Sequence, residues 1–197
     1  MSFKKLLAEF DSVLKEFNPL EYNKLLAPFS PKETELKLIN ELGINDSNFK
    51  DFFSWKNGEE EDSYCEIMEY GGPMSIDAIK ETISNYFHFE PMLIPFISEG
   101  EQMLLFNKKN GRNYGKIYLY SVPELYIEHP ISYYDSFESM ISTTITAYKK
   151  KIYSYDFSKK KLRYDYDELH RHIKEMNPNS EFWKNHNPLR SEDWYEI

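Results

Sequence analysis

Residues Met92 to Gly100 read Met-Leu-Ile-Pro-Phe-Ile-Ser-Glu-Gly, an apolar run broken by proline and closed by a polar turn. No other stretch restricts the fold as much. The apolar pattern predicts a strand, but proline cannot donate to the sheet ladder, so Pro95 has to lie at an edge or a bulge. Gly100 supplies the backbone freedom for a tight reversal into Met103 to Phe106, the predicted neighbouring strand.

Upstream of this run the periodicity is helical. Phe3, Leu6, Leu7, Phe10, Leu14 and Phe17 recur at helical spacing, with Ser2 as cap and Asn18-Pro19 as stop. Ser30-Pro31-Lys32-Glu33 has capping-box order ahead of Leu36, Ile39 and Leu42, and Gly43 closes that helix. Asp46 or Ser47 caps a third helix carrying Phe49, Phe52 and Phe53, which Asn57-Gly58 terminates. Ser63 to Tyr70 alternates and is predicted as a strand, and Ser75 caps a helix carrying Ile76, Ile79, Ile83 and Phe87.

Beyond the Met92 run, Asn107 to Gly115 reads as a turn leading into a strand from Lys116 to Ser121. Asp135 and Glu138 form a capping-box pair for a helix whose face runs Phe137, Ile141, Thr144, Tyr148, Ile152. After Lys151 come alternating Tyr, Asp and Lys, a helix from Tyr166 to Met176, and a short aromatic segment from Ser180 to His186. The expected fold is α+β in a single domain. It has N-terminal helices, an antiparallel sheet of about four to six strands, flanking helices and a C-terminal helical extension. The core is expected over 1–151, with 152–197 an elaboration packed on the same domain.

Several function classes are disfavoured by composition. The net charge of −9 opposes nucleic acid at long range and favours basic partners. The charge is uneven: from Tyr148 to Arg163, seven cations face only Asp156, a local +6 that leaves −15 for the rest. With 16 Tyr and 14 Phe the chain has ample bulk for a core. One cysteine, Cys65, excludes an internal disulfide, and acidic residues follow the start too soon for a secretory apolar region. No apolar run reaches membrane-spanning length, so a cytoplasmic, membrane-free protein is expected.

Catalytic and metal signals are sparse. Glu168 and His172 lie four apart on the late helix, where a salt bridge accounts for them, and His170 falls on a different face. Cys65 has no His spaced to activate it and reads as packing. Gly111-Arg112-Asn113-Tyr114-Gly115 lacks the context of a dinucleotide loop and reads as a hairpin turn. No cofactor, metal or catalytic residue is expected.

The punctuation resembles the SUKH superfamily, which includes bacterial immunity proteins and fungal cell-wall regulators. The resemblance is carried by Phe52-Phe53 with Asn57-Gly58, by Ile94-Pro95-Phe96 with Ser98-Glu99-Gly100, by Gly115-Lys116-Ile117-Tyr118 and by Ser136 to Ile141, spanning roughly residues 20 to 150. It implies a binding protein without turnover, an antidote for a basic toxin such as a nuclease, or a regulatory scaffold as in the fungal members. Charge supports the first, since an acidic protein gains association rate toward a basic partner. The expected contact surface comprises Glu59, Glu60, Glu61, Asp62, Glu66, Glu69, Glu99 and Glu101, with Tyr126, Tyr133 and Tyr134 as aromatic anchors. Solvated turns have the same acidic composition. A small hydrolase using scattered carboxylates is the alternative.

Overall fold

The computed structural model describes residues 2–59, 64–86, 92–100, 102–121 and 130–185. Four helices come first: α1 (Phe3–Phe17), α2 (Pro19–Tyr22), α3 (Pro31–Leu42) and α4 (Ser47–Trp55). In α1 the predicted face is the buried one, with Phe3, Leu6, Leu7, Phe10, Val13 and Leu14 turned inward. In α3 the Ser30 hydroxyl accepts the Glu33 N–H at 3.3 Å, and Gly43 closes the helix by donating to the carbonyls of Ile39 and Leu38. Its inward face differs from the one expected. Thr34, Leu38 and Leu42 are buried while Leu36 and Ile39 are exposed, because the helix docks through the former set onto α4 and α5 (Ile76–Tyr86). Asp46 is the cap of α4, accepting the Phe49 N–H at 2.8 Å.

The sheet is an antiparallel meander, β1 (Gly72–Pro73), β2 (Leu93–Glu99), β3 (Gln102–Asn107), β4 (Ile117–Ser121) and β5 (Ile131–Tyr134), in chain order. Pro95 sits where its chemistry requires. It pairs with Leu105 while Ile97 pairs with Leu104, so Phe96 is the extra residue of a bulge and its carbonyl accepts the Met74 N–H at 2.9 Å. Glu99 pairs with Gln102 across the reversal at Gly100, whose φ is +59°.

Alternation along the strands divides the sheet into two faces. Ile94, Phe96, Leu104, Phe106, Ile117 and Leu119 join the helices in the main core, and Leu93, Met103, Leu105 and Tyr120 form a small cluster on the other face. Phe137 occupies the centre, with ring centroids of Phe3, Phe49, Phe52, Phe96 and Phe106 within 5.1–6.1 Å.

The expected strand from Ser63 to Tyr70 does not form. Ser63 lies outside the described residues, and the rest is irregular except for a single bridge between Met68 and Gly71. Alternation was a false signal here, because Cys65, Ile67, Met68, Glu69 and Tyr70 are all buried, and their backbone groups bond to side chains such as Tyr148 and Tyr153 or to the local turn at Gly71. Gly71 has φ +95°, and a Cβ there would overlap the Ser98 carbonyl, so the chain passes β2 too closely for any side chain.

The helix α6 (Phe137–Lys149) is capped by Ser136 and Ser139, not by the expected Asp135 and Glu138. Asp135 instead accepts from the Asn179 backbone and side chain, and Glu138 accepts from Asn48. The helix stops before Ile152, whose N–H turns back to the Ala147 carbonyl after Lys151 adopts φ +62°.

Beyond α6 the chain forms a hairpin of β6 (Ser154–Asp156) and β7 (Lys161–Arg163), then α7 (Tyr166–Met176) and α8 (Glu181–Asn185). The hairpin was not expected within a helical extension. Asp156 builds its turn by accepting from the backbone of Ser158 and Lys159. Leu162, Leu169, Ile173, Phe182 and Trp183 join the main core. Against β5, the Ser180 hydroxyl donates to the Ser132 carbonyl at 2.5 Å and Trp183 Nε1 to the Tyr133 carbonyl at 2.9 Å.

Glu168 and His172 do not form the salt bridge anticipated on α7. His172 is buried with Nε2 at 3.2 Å from the Thr143 carbonyl, and its Nδ1 has no hydrogen-bond partner. Burial holds its pKa below the ordinary 6.5, the carbonyl contact opposing in part. As pH falls through about 6.5 the unfolded chain takes up a proton that the folded state resists, so this group removes stability on the acid side. Urea midpoints measured from pH 7.5 to 5.5 are expected to decline less in His172→Gln than in the wild-type chain. Parallel declines would remove His172 from the linkage.

Candidate partner-binding furrow

The irregular segment from Tyr64 to Gly71 is held by buried side chains from three directions. Asn18 Nδ2 donates to the Glu66 carbonyl at 2.9 Å, and Tyr148 donates to the Ile67 carbonyl at 2.9 Å. Glu21, almost fully buried, accepts the Glu66 N–H at 2.9 Å, Lys24 Nζ at 2.7 Å and the Tyr155 hydroxyl at 2.9 Å. Lys24 also donates to the Tyr64 carbonyl.

Glu69 points inward. Its Oε2 accepts the Tyr133 hydroxyl at 2.7 Å, its Oε1 lies 2.7 Å from His170 Nε2, and its N–H donates to the Tyr153 hydroxyl at 2.9 Å. Burial first, then the Glu69 charge, pushes the Tyr133 and Tyr134 phenols well above their ordinary range, which keeps them neutral.

Three of the expected contact residues therefore belong to the interior. Glu69, Tyr133 and Tyr134 are 3%, 0% and 1% exposed, so none offers a surface to a partner. Tyr133 and Tyr134 fell in what read as a loop, but they occupy β5, where Phe182 and Trp183 pack on the Tyr133 ring. Glu60, Glu61, Asp62, Glu101 and Tyr126 lie outside the described residues.

Glu59, Glu66 and Glu99 come together. They line a small cleft with Tyr64, Cys65, Ser98 and Gly100, about 150 Å³ in volume. Glu66 and Glu99 continue into a wider cleft of about 400 Å³, whose opposite wall is the β6–β7 hairpin with Lys159, Lys161 and Arg163. The two spaces share Glu66 and Glu99 and form one furrow. Glu66 Oε2 accepts the Leu162 N–H at 2.8 Å, tying floor to wall. Burial, then the negative charges of Glu66 and Glu69, raises the Glu99 pKa above the ordinary carboxylate value. A cation placed between Glu66 and Glu99 would relieve that repulsion.

Two aromatics that the sequence reading passed over mark this furrow. Tyr64, 70% exposed, stands in the narrow part, and Tyr166, 61% exposed, in the wide part. Tyr64 was hidden by its assignment to a strand and Tyr166 by its place at a helix start. The signal that could have found them is an aromatic residue beside charge with no apolar neighbours at helical spacing. Cys65 forms part of the wall but is itself buried, and burial pushes its thiol far up, so it stays protonated and unreactive.

Among the described residues no three His, Cys, Asp or Glu side chains converge as a metal set, and no helix is long and apolar enough to cross a membrane. No protein-family model matches the chain, and comparison with curated proteins finds no match.

Proposed function

We propose that the protein is a non-catalytic binding module, a cytoplasmic antidote in the manner of SUKH immunity proteins, that engages a basic protein toxin, a nuclease being the leading class. One observation carries the reading: Glu59, Glu66 and Glu99, chosen from sequence as contact residues, share one furrow with the exposed rings of Tyr64 and Tyr166. Carboxylates beside accessible tyrosines suit a basic side chain, whose charge the former take and whose stem the latter cover. The net charge of −9 adds long-range attraction.

The test uses purified basic nuclease-toxin domains as probes, with inhibition of their nuclease activity and the association rate as readouts. Glu59→Lys combined with Glu99→Lys is expected to lower the association rate about tenfold at low salt and to flatten its salt dependence. Tyr64→Ala should mainly speed dissociation. Inhibition with unchanged rates in all variants would move the interface elsewhere, and absence of inhibition by the wild-type chain would end the antidote reading.

A further inference from the structure

On a different surface, the connection between β3 and β4 has features that the binding reading does not use. It runs from Lys108 to Lys116, longer than the roughly two to five residues usual in a hairpin, and compact surface loops of roughly 6–16 residues are frequently functional. It is also a built structure. Gly115 N–H donates to the Asn107 carbonyl at 2.9 Å, Tyr114 N–H to the Gly111 carbonyl at 3.1 Å, Lys108 Nζ to the Leu42 carbonyl at 2.8 Å and the Tyr114 hydroxyl to Asp46 at 2.7 Å. Both the loop and its attachment to α3 and α4 are thereby fixed.

Beside this loop lies a cleft of about 400 Å³, within the size range of small-molecule sites. Its polar lining consists of Asn107, Lys109, Asn110, Arg112 and Asn113, with no carboxylate among the described lining residues, although the chain as a whole is acidic. Neither Lys109 nor Arg112 forms an ion pair with any described residue. Asn107 is the deepest of the five at 6% exposed. Its Oδ1 is committed to the Lys109 N–H at 2.8 Å, which leaves Nδ2 as a donor without an acceptor among the described residues. The Asn107 amide donor and two cations without an ion-pair partner among the described residues, set around one space, match the acceptor oxygens of a phosphate. The remaining lining is apolar, with Met92, Leu93, Tyr118 and Pro130.

We propose that this cleft binds a small phosphate ester with a flat or apolar substituent. Lys109, Arg112 and the Asn107 amide take the phosphate, and the substituent lies against Met92, Tyr118 and Pro130. The arginine is suited to bidentate contact with two phosphate oxygens, and the fixed loop lets it bind without first ordering the chain.

Titration calorimetry with two probes tests the assignment on the intact protein. Phenyl phosphate is expected to bind saturably and inorganic phosphate more weakly. Arg112→Glu and Lys109→Glu should each weaken both probes about tenfold or more, in line with loss of a charge-assisted contact. Met92→Ala should weaken phenyl phosphate alone. All three side chains are exposed, and unchanged thermal melts would certify that the variants fold. The proposal is overturned by absence of saturation with both probes, by equal affinity for the two, or by binding that survives both charge reversals.

Discussion

Replacing Glu69 with alanine is expected to lower the unfolding free energy by about 3–5 kcal/mol, the range for breaking a buried, paired charge site. The residue is 3% exposed, and its carboxylate joins three separate parts of the chain: the irregular segment that carries it, Tyr133 on β5 and His170 on α7. Alanine would leave the Tyr133 hydroxyl and His170 Nε2 without this acceptor in a space too closed for ready hydration, so desolvation adds to the lost bonds. The measurement is chemical denaturation of Glu69→Ala, His170→Ala and the double variant. A coupling energy above about 0.5 kcal/mol is expected for residues in direct contact. Hydrogen exchange should show β7 through α8 losing protection ahead of the sheet, because the carboxylate ties α7 to the core. Additive losses with uniform exchange would show that Glu69 acts only as packing volume.

Phe137→Ala is expected to cost about 3–5 kcal/mol through a different mechanism, the void left by a large ring. Five phenylalanines from α1, α4, β2 and β3 surround it with centroids 5.1–6.1 Å away, and tilted or edge arrangements dominate. No backbone rearrangement in one element can close a space bounded by four. Phe137→Leu should recover more than half of the loss by refilling most of the volume, whereas Glu69→Gln, which keeps the shape but not the charge, isolates electrostatics at the other site. A loss below about 1.5 kcal/mol for Phe137→Ala would mean that the helices slide to fill the gap.

Elements whose physics is local could be read from the sequence. Pro95 forces a bulge wherever its strand pairs, Ser30-Pro31 with Gly43 delimits α3, and the face of α1 follows from spacing alone. Signals failed where a partner distant in sequence sets the conformation. Tyr64 to Tyr70 alternates like a strand, yet Asn18, Glu21, Tyr148 and Tyr153, together with a local turn at Gly71, supply its hydrogen bonds and leave it without a ladder. The rotation of α3 is fixed by α4 and α5, which outweigh the exposure of Leu36 and Ile39. The furrow was legible as acidic residues at Glu59, Glu66 and Glu99. The tyrosines expected at the contact surface, Tyr133 and Tyr134, lie in the interior instead, and the Tyr133 ring is covered by Phe182 and Trp183, more than forty-five residues downstream. Surface and interior tyrosines have the same composition, and only tertiary contacts separate them.

The pairing of Ser180 and Trp183 with the carbonyls of Ser132 and Tyr133 has a bearing on solubility. A terminal strand with open acceptors is a template for another chain, and proteins blunt such templates by covering them. Here the cover is a single short turn of helix anchored by an indole. Clipping near Asn179 would therefore do more than shorten the molecule: it would uncover a hydrogen-bonding rail beside the rings of Tyr133 and Phe182's former seat, and invite polymerisation of a chain whose charge otherwise keeps copies apart.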